Sequence, residues 1–380
     1  MFETLAKQAV ADRRYLHENP ELSGSEWETT KFIRERLELL DIEILDFEPP
    51  GVIGYMKGTK GGKTIALRAD IDALPILEEG DKPYISKVRG VSHACGHDGH
   101  TAILLAAAEW FKQPGNEVEP NILFIFQSAE EITPSGADRL IKMGVLDNVD
   151  TIFGIHLWQS MEKGRMGLKA GAAMASVDDF EVRIQGSGGH GATPHETVDP
   201  IYIASHLIQA YQGIISRKLD PVHSGVLTVG QIEGGSTYNV IPDTAKLIGT
   251  IRALSVGSVK TIQQQMVKIT EGLCQTFGAK GQIDFIVGTP PLVNDPKEAA
   301  YAETVIRKTF GEGRFQTVDA YMGAEDFSYY LQKKPGAFIF VGMNSEKSAY
   351  PHHHPKFDID EDVFADAIEL FTAIVKEYSS

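Results

Sequence analysis

Val91-Ser92-His93-Ala94-Cys95-Gly96-His97-Asp98-Gly99-His100 brings one thiol, three imidazoles and a carboxylate into ten residues. It runs into Thr101-Ala102-Ile103-Leu104-Leu105-Ala106-Ala107-Ala108, a strong helix-forming segment. The pair predicts a loop that delivers polar groups onto the start of a buried helix. Cysteine thiolate and neutral imidazole are ligands for zinc or another borderline divalent metal. The rest of the chain is therefore read for residues that complete a metal site.

Upstream, Thr64-Ile65-Ala66-Leu67-Arg68 has the short apolar character of a buried central strand and ends in Ala69-Asp70-Ile71-Asp72. Downstream, Asn121-Ile122-Leu123-Phe124-Ile125-Phe126-Gln127 reads the same way and ends in Ser128-Ala129-Glu130-Glu131. A helix is expected over 135–143, then a strand over 151–155 with His156 at its end. Such alternation predicts an α/β fold with a mostly parallel sheet flanked by helices. Ligands of such sheets sit beyond the carboxyl ends of the strands. Asp70, Asp72, Glu130, Glu131 and His156 all fall there.

Residues 1–45 read as two helices, with Ser25 and Glu28 spaced as a capping box for the second. A strand is expected over 52–57, with Lys60-Gly61-Gly62-Lys63 as a hairpin-type turn into the next. Near 170–175 the texture changes. Strand 177–185, helix 200–215, strands 226–232 and 245–254, helix 258–277 and strand 282–287 follow in β-α-β-β-α-β order, the ferredoxin-like pattern. The expected domains are 1–174 and 290–380, together one metal-binding α/β domain, and an inserted α+β domain at 175–289. A helix over 299–310, a strand over 337–341 and a helix over 363–378 complete the first.

The balance of 36 basic against 52 acidic residues gives a net charge of −16. That argues against a nucleic-acid or anionic-membrane partner. An anionic substrate then needs a local cation. The two cysteines, Cys95 and Cys274, do not suggest a disulfide framework. The N-terminal residues lack a basic start followed by an apolar run, and no apolar run reaches the roughly 18 residues needed to span a bilayer. A cytoplasmic protein is expected.

Taken singly, each candidate has a plain alternative. Cys95 and His97 also fit a buried cysteine beside a helix-capping histidine. Glu130-Glu131 also fits a pair complementing a helix dipole, although two adjacent carboxylates at the end of an apolar strand are expensive to bury uncompensated. His156 fits a structural histidine, and Pro351-His352-His353-His354-Pro355 a solvated loop. Together they offer Cys, His, Glu, His and His, enough for two metal ions sharing a bridge. A further carboxylate is then available as general base for hydrolysis of an amide or ester.

The motifs HACGHDGH (93–100), RADIDALP (68–75), SAEE (128–131), GIHLW (154–158), GGHGATPH (188–195), NVIPD (239–243) and HHPKFD (353–358) span most of the chain. As a set they resemble the aminoacylase and carboxypeptidase family of dinuclear metallopeptidases. More closely they resemble its amidohydrolase subfamily of hippurate hydrolases, auxin-conjugate hydrolases and N-acetyl-diaminopimelate deacetylases. The resemblance implies two divalent ions (Mn²⁺, Zn²⁺ or Co²⁺) bridged by Cys95, with His97, Glu131, His156 and His353 completing the ligands. His354 competes with His353, because three histidines run together. It implies Glu130 as general base and Asp72 as a supporting aspartate. Asp70 stands where the peptidase motif has a histidine ligand, a departure from that pattern. The inserted domain resembles a lid and dimerisation domain. There His190 matches a histidine that reaches the opposite active site of a homodimer to bind the oxyanion, and Asn239 and Arg252 match a substrate-binding pair. On this basis Asp98 supports the ligands or caps the helix, and His93 and His100 are structural.

The expected activity is hydrolysis of the amide bond of an N-acyl amino acid, of N-acetyl or N-benzoyl type. The alternatives are a dipeptidase or carboxypeptidase on the same scaffold, or a non-catalytic metal-stabilised binding protein.

Overall fold

A computed structural model describes residues 1–378. Two compact units share the chain. One comprises Met1–Gly171, Val293–Asp319 and the chain from Asp326 on; the other comprises Ala172–Leu292 with Ala320–Glu325. The sequence reading gives the whole of 290–380 to the first unit. Ala320–Glu325 instead goes with the second, because Tyr321 donates to the Ala173 carbonyl and Ala175 donates to the carbonyls of Tyr321 and Gly323.

Among the described residues the first unit is built on eight strands. In chain order they are β1 (Glu43–Ile44), β2 (Val52–Met56), β3 (Thr64–Asp70), β4 (Asn121–Gln127), β5 (Thr151–Glu162), β6 (Met166–Leu168), β7 (Phe315–Thr317) and β8 (Gly336–Asn344). Their spatial order is β1-β2-β4-β3-β5-β8-β6-β7. The central run β4-β3-β5-β8 is parallel, while β1-β2, β2-β4 and β8-β6 pair antiparallel. All seven residues of β3 are buried, so it needs a partner on each side and takes β4 and β5. This overturns the hairpin expected at Lys60–Lys63. β2 and β3 are not neighbours, because β4 lies between them.

The helices of this unit are α1 (Phe2–Glu18), α2 (Trp27–Leu39), α3 (His97–Lys112), α4 (Gly136–Lys142), α5 (Pro296–Phe310), α6 (Phe327–Leu331) and α7 (Phe364–Glu377). α3 is buried at every residue from His97 through Ala108, and α1, β3 and α7 pack against it. Its aliphatic stretch joins Ile155, Leu157, Phe357, Ile359 and Phe364 in one core cluster. An Ile103→Ala truncation there would cost about 2–5 kcal/mol. The Ser25 capping box does not form. The Glu21 carboxylate instead accepts from the Glu28 and Thr29 amides at 3.2 and 2.8 Å. Ser25 is drawn into a turn by its own amide, which donates to the Leu22 carbonyl.

The second unit carries a four-stranded antiparallel sheet in the order Gly225–Gly234, Thr244–Ala253, Asp178–Gln185, Lys280–Val287. Helices Pro200–Arg217 and Val256–Thr276 complete the β-α-β-β-α-β order. Phe180, Val182 and Ile184 alternate inward from the third strand against Leu207, Tyr211, Ile262 and Met266. That period of two is what the sequence reads as a half-buried strand. No helix of the described residues is long and apolar enough to cross a membrane.

Candidate metal centre

β3, β4 and β5 deliver the site together. Asp70 pairs with Gln127 at the ends of β3 and β4, so Asp72 and the Ser128–Glu131 turn leave the sheet side by side. β5 does not end at Ile155 as expected but runs to Glu162. Arg68 pairs with Gly154, so His156 still stands level with the end of β3. The fourth contributor is the N-terminus of α3. Gly96 precedes it at φ +94°, a left-handed turn that glycine adopts freely, and sets His97 on the first helical position.

Two groups of potential ligands share one thiol. Cys95, His97 and His156 offer atoms within 4.8 Å of one another, and so do Cys95, Glu131 and His353. Glu130 and Glu131 form a further such group with His97. The tail joins because the His353 amide donates to the Ala94 carbonyl at 2.8 Å, with His353 itself at φ +65°. Its Nε2 lies 3.2 Å from Glu131 Oε1. His354 points elsewhere. Its ring stacks on Tyr350 at 4.6 Å, and its Nδ1 accepts from the Lys356 amide.

The donor set suits divalent cations. His97 Nδ1 faces Asp72 Oδ1 at 3.0 Å, and His156 Nδ1 faces the Leu157 carbonyl at 2.9 Å. Carboxylate and carbonyl oxygens only accept, so each Nδ1 carries a hydrogen and each Nε2 is the atom left to ligate. His156 Nε2 lies 3.7 Å from Cys95 Sγ. His97 Nε2 and Glu131 Oε1 are buried without a hydrogen bond, although buried polar atoms are almost always satisfied.

The electrostatics point the same way. Burial pushes His156 well below the usual imidazole range, with His100 adding to it, so the ring is neutral. Burial also disfavours charge on His97, but Asp70 and Cys95 outweigh it and raise its proton affinity. Burial, then Glu131, push the Cys95 thiol up. A pocket that raises a histidine and a thiol together is short of positive charge, which metal ions supply.

Outside the ligand atoms lies a supporting shell, in which Asp98, His93 and His100 are expected from the sequence and Arg13, His17 and Asp326 are not. The Asp70 carboxylate takes Arg68 Nη1 and His100 Nδ1, each at 2.6 Å, and His100 Nε2 accepts from the Leu157 amide beside His156. Burial would raise Asp98, but Arg13 and His17 hold it well below the carboxylate range. Asp98 thus ties α3 to α1, accepting from Arg13 Nε at 2.8 Å and facing His17 Nδ1 at 2.7 Å. His93 is buried with neither ring nitrogen hydrogen-bonded, and burial lowers it to about 4. His352, read from the sequence only as part of a solvated loop, is instead half-buried and donates from Nε2 to the Leu157 carbonyl. Glu130 Oε1 accepts from the Asp326 amide at 3.3 Å, and the Asp326 carboxylate accepts from Arg68 and Gln127.

In the second unit, His190 is exposed on a two-residue strand opposite Val240. Its Nδ1 accepts from the Ala192 amide at 3.0 Å, which leaves Nε2 as the ring's donor. Asn239 is adjacent, its carbonyl accepting from the Gly191 amide. Arg252 lies on another ladder, the strand Thr244–Ala253, and donates to the Ile251 carbonyl and Thr250 hydroxyl.

A family model described as peptidase family M20/M25/M40 matches residues 66–377. The chain belongs to that family. This M20 chain is 43% identical over 361 residues to the N-acetyl-L-cysteine deacetylase of Bacillus subtilis strain 168, covering 94% of its own length and 85% of the relative's. It is 41% identical over 357 residues to thermostable carboxypeptidase 2 of Saccharolobus solfataricus, covering 92% and 90%. A solved Bacillus subtilis protein described as a dinuclear metal binding peptidase from the M20 family superposes with a TM-score of 0.86 at 37% identity, covering 98% of each chain. Membership in this family makes the chain a hydrolase.

Proposed function

We propose that this amidohydrolase cleaves N-acyl amino acids, of N-acetyl or N-benzoyl type, into a carboxylic acid and a free amino acid. The observation that carries the reading is the pair of ligand groups sharing Cys95, with Glu130 beside them. Cys95, His97 and His156 would hold one divalent ion, and Cys95, Glu131 and His353 the other. Mn²⁺, Zn²⁺ and Co²⁺ all suit a mixed thiolate, imidazole and carboxylate set. When bound, the ions supply Lewis acidity at the substrate carbonyl and acidify water.

Glu130 takes the proton of the attacking water and returns it to the leaving nitrogen, so that one water is consumed per amide cleaved. Asp72 keeps His97 in the Nδ1–H tautomer. His190 donates from Nε2 to the oxyanion, and the resemblance assigns that donation to the opposite site of a homodimer. Arg252 and Asn239 bind the substrate, with Arg252 taking its carboxylate, a bidentate role suited to guanidinium. The deacetylase named among the relatives supports an N-acyl substrate, and the net charge of −16 supports a small molecule over a nucleic acid.

Glu130→Gln tests the mechanism. Turnover should fall by about three orders of magnitude or more with metal content unchanged; near-normal turnover would refute Glu130 as base. The relative named as a carboxypeptidase supports a second reading, peptide cleavage. Parallel assay of N-acyl amino acids and unblocked dipeptides separates the two, and preference for a free α-amine would favour the second.

A further inference from the structure

Glu26 sits at the N-cap of α2 yet makes no capping bond. Its residue is fully buried, and Oε1 accepts from the Ala129 amide at 2.8 Å. Ala129 is held at φ +55°, a left-handed conformation that costs a non-glycine residue on the order of 1 kcal/mol. Such strain persists only where the surroundings fix it. Here the Ala129 carbonyl accepts from the Gly136 amide at 2.9 Å. Gly136 can approach because it lacks a side chain; a Cβ there would lie 1.8 Å from the Ser128 carbonyl oxygen. On the far side of Glu130, the Glu131 amide donates to Asp72 Oδ2 at 3.0 Å, and the Ser23 hydroxyl donates to the same oxygen at 2.6 Å. The short connection between α1 and α2 thus supports the turn at both ends, Ser23 through Asp72 and Glu26 directly.

We propose that Glu26 is a positioning residue for the catalytic turn. By accepting from the Ala129 amide it holds Ala129 left-handed, and so aims Glu130 and Glu131 in their two different directions. The role rests on the hydrolase reading of those two glutamates. A buried carboxylate is costly, and Glu26 does not offset that cost by capping α2; its hydrogen bond to the Ala129 amide is the contact it makes across to the turn. Burial, and then the Asp72 carboxylate, push Glu26 up to about 7. Oε1 offers Ala129 a lone pair in either protonation state.

The test compares Glu26→Leu, which removes the acceptor, with Glu26→Gln, which keeps a side-chain oxygen in place. Deuterium exchange at the Ala129 amide is followed in the metal-free protein, and kcat and KM on an N-acyl amino acid in the metal-loaded one. Glu26→Leu should speed Ala129 exchange about tenfold or more. It should lower kcat about 30- to 100-fold with KM within about threefold, the signature of misplaced rather than missing catalytic groups. Glu26→Gln should recover at least about tenfold of the lost turnover. Adding Ala129→Gly to Glu26→Leu should also recover turnover, since glycine adopts the left-handed turn without a brace. Unchanged Ala129 exchange in Glu26→Leu, or equal loss in the Leu and Gln variants, would overturn the proposal. Should Glu26→Leu fail to fold, exchange and turnover in Glu26→Gln still decide: both close to wild type support the role, and fast exchange contradicts it. If the wild type cleaves no N-acyl amino acid, the functional reading fails while the exchange comparison still judges Glu26.

Discussion

Arg68 donates to Asp70 at 2.6 Å with both side chains withdrawn from solvent. The same guanidinium reaches Asp326 at 2.7 Å and Gln127 at 2.9 Å, so one buried cation organises the carboxyl ends of β3 and β4 and the start of α6. Burial would raise Asp70, but His97 and Arg68 hold it well below the carboxylate range. Asp70 is therefore a fixed anion that orients His100, and through the Leu157 amide the strand carrying His156. Arg68→Met leaves two buried carboxylates without their cation. The expected loss is about 3–5 kcal/mol, read from urea unfolding. A loss under about 1 kcal/mol would show that the ion pair is not what settles this layer.

Asp72 holds His97 and the Glu131 amide from its two oxygens. Burial would raise it, but the hydrogen bond from His97 keeps it low, so it is ionised at neutral pH. Asp72→Ala releases the His97 ring to either tautomer and frees the turn. Metal affinity should fall about 10- to 100-fold, measured by titrating the metal-free protein with Co²⁺. Wild-type affinity in the variant would mean that His97 is oriented by something else.

Most of this was legible in the sequence, for reasons that differ by residue. β3, β4 and the 102–108 stretch of α3 carry continuous apolar runs that are buried throughout, and such runs are a strong signal. Asp72, Glu130 and Glu131 follow from lying beyond strand ends. His353 needed the family pattern, because three adjacent histidines have no periodicity to set their register; its amide hydrogen bond to Ala94 places it beside Glu131, while His354 stacks on Tyr350. The hairpin at Lys60–Lys63 failed because turn chemistry is local, whereas the insertion of β4 between β2 and β3 is decided by which strand can be covered on both sides. The Ser25 capping box failed to a competitor, Glu21, seven residues ahead of the first amide it caps. Glu26, Arg13 and Arg68 were assigned no role from the sequence, since each also reaches a partner about 60 to 350 residues away, Ala129, Glu361 and Gln127 respectively.

Cation removal makes a distinct prediction. In the metal-free protein Cys95 is a thiol, since burial and Glu131 push it up. Cation binding therefore releases that proton, and apparent affinity should tighten as pH rises through the neutral range. Calorimetry in two buffers of different ionisation enthalpy reads the release. Chelation should abolish hydrolysis, and Mn²⁺, Co²⁺ or Zn²⁺ should restore it. A pH-independent affinity with no proton released would exclude Cys95 as a ligand.

Glu78 supplies a pH-dependent stability term away from the ligand atoms. It lies 2.7 Å from His17 Nε2 and 2.8 Å from Lys82 Nζ, and it accepts from the Ser86 amide at 2.6 Å. Burial would raise it, but the hydrogen bond and charge of His17, then Lys82, bring it down to about 2 from an ordinary 4.5. A carboxyl whose folded value lies below its unfolded value contributes stability above the unfolded value. That contribution is lost as pH falls from about 4.5 toward 2. Glu78→Gln should therefore be less stable than wild type at pH 7, by about 2 kcal/mol after allowing for solvent screening. The gap should narrow steadily between pH 5 and pH 3, as seen in denaturant midpoints taken at each pH. A gap that widened on acidification would mean that Glu78 takes up its proton more readily in the folded chain, contrary to the charges that surround it.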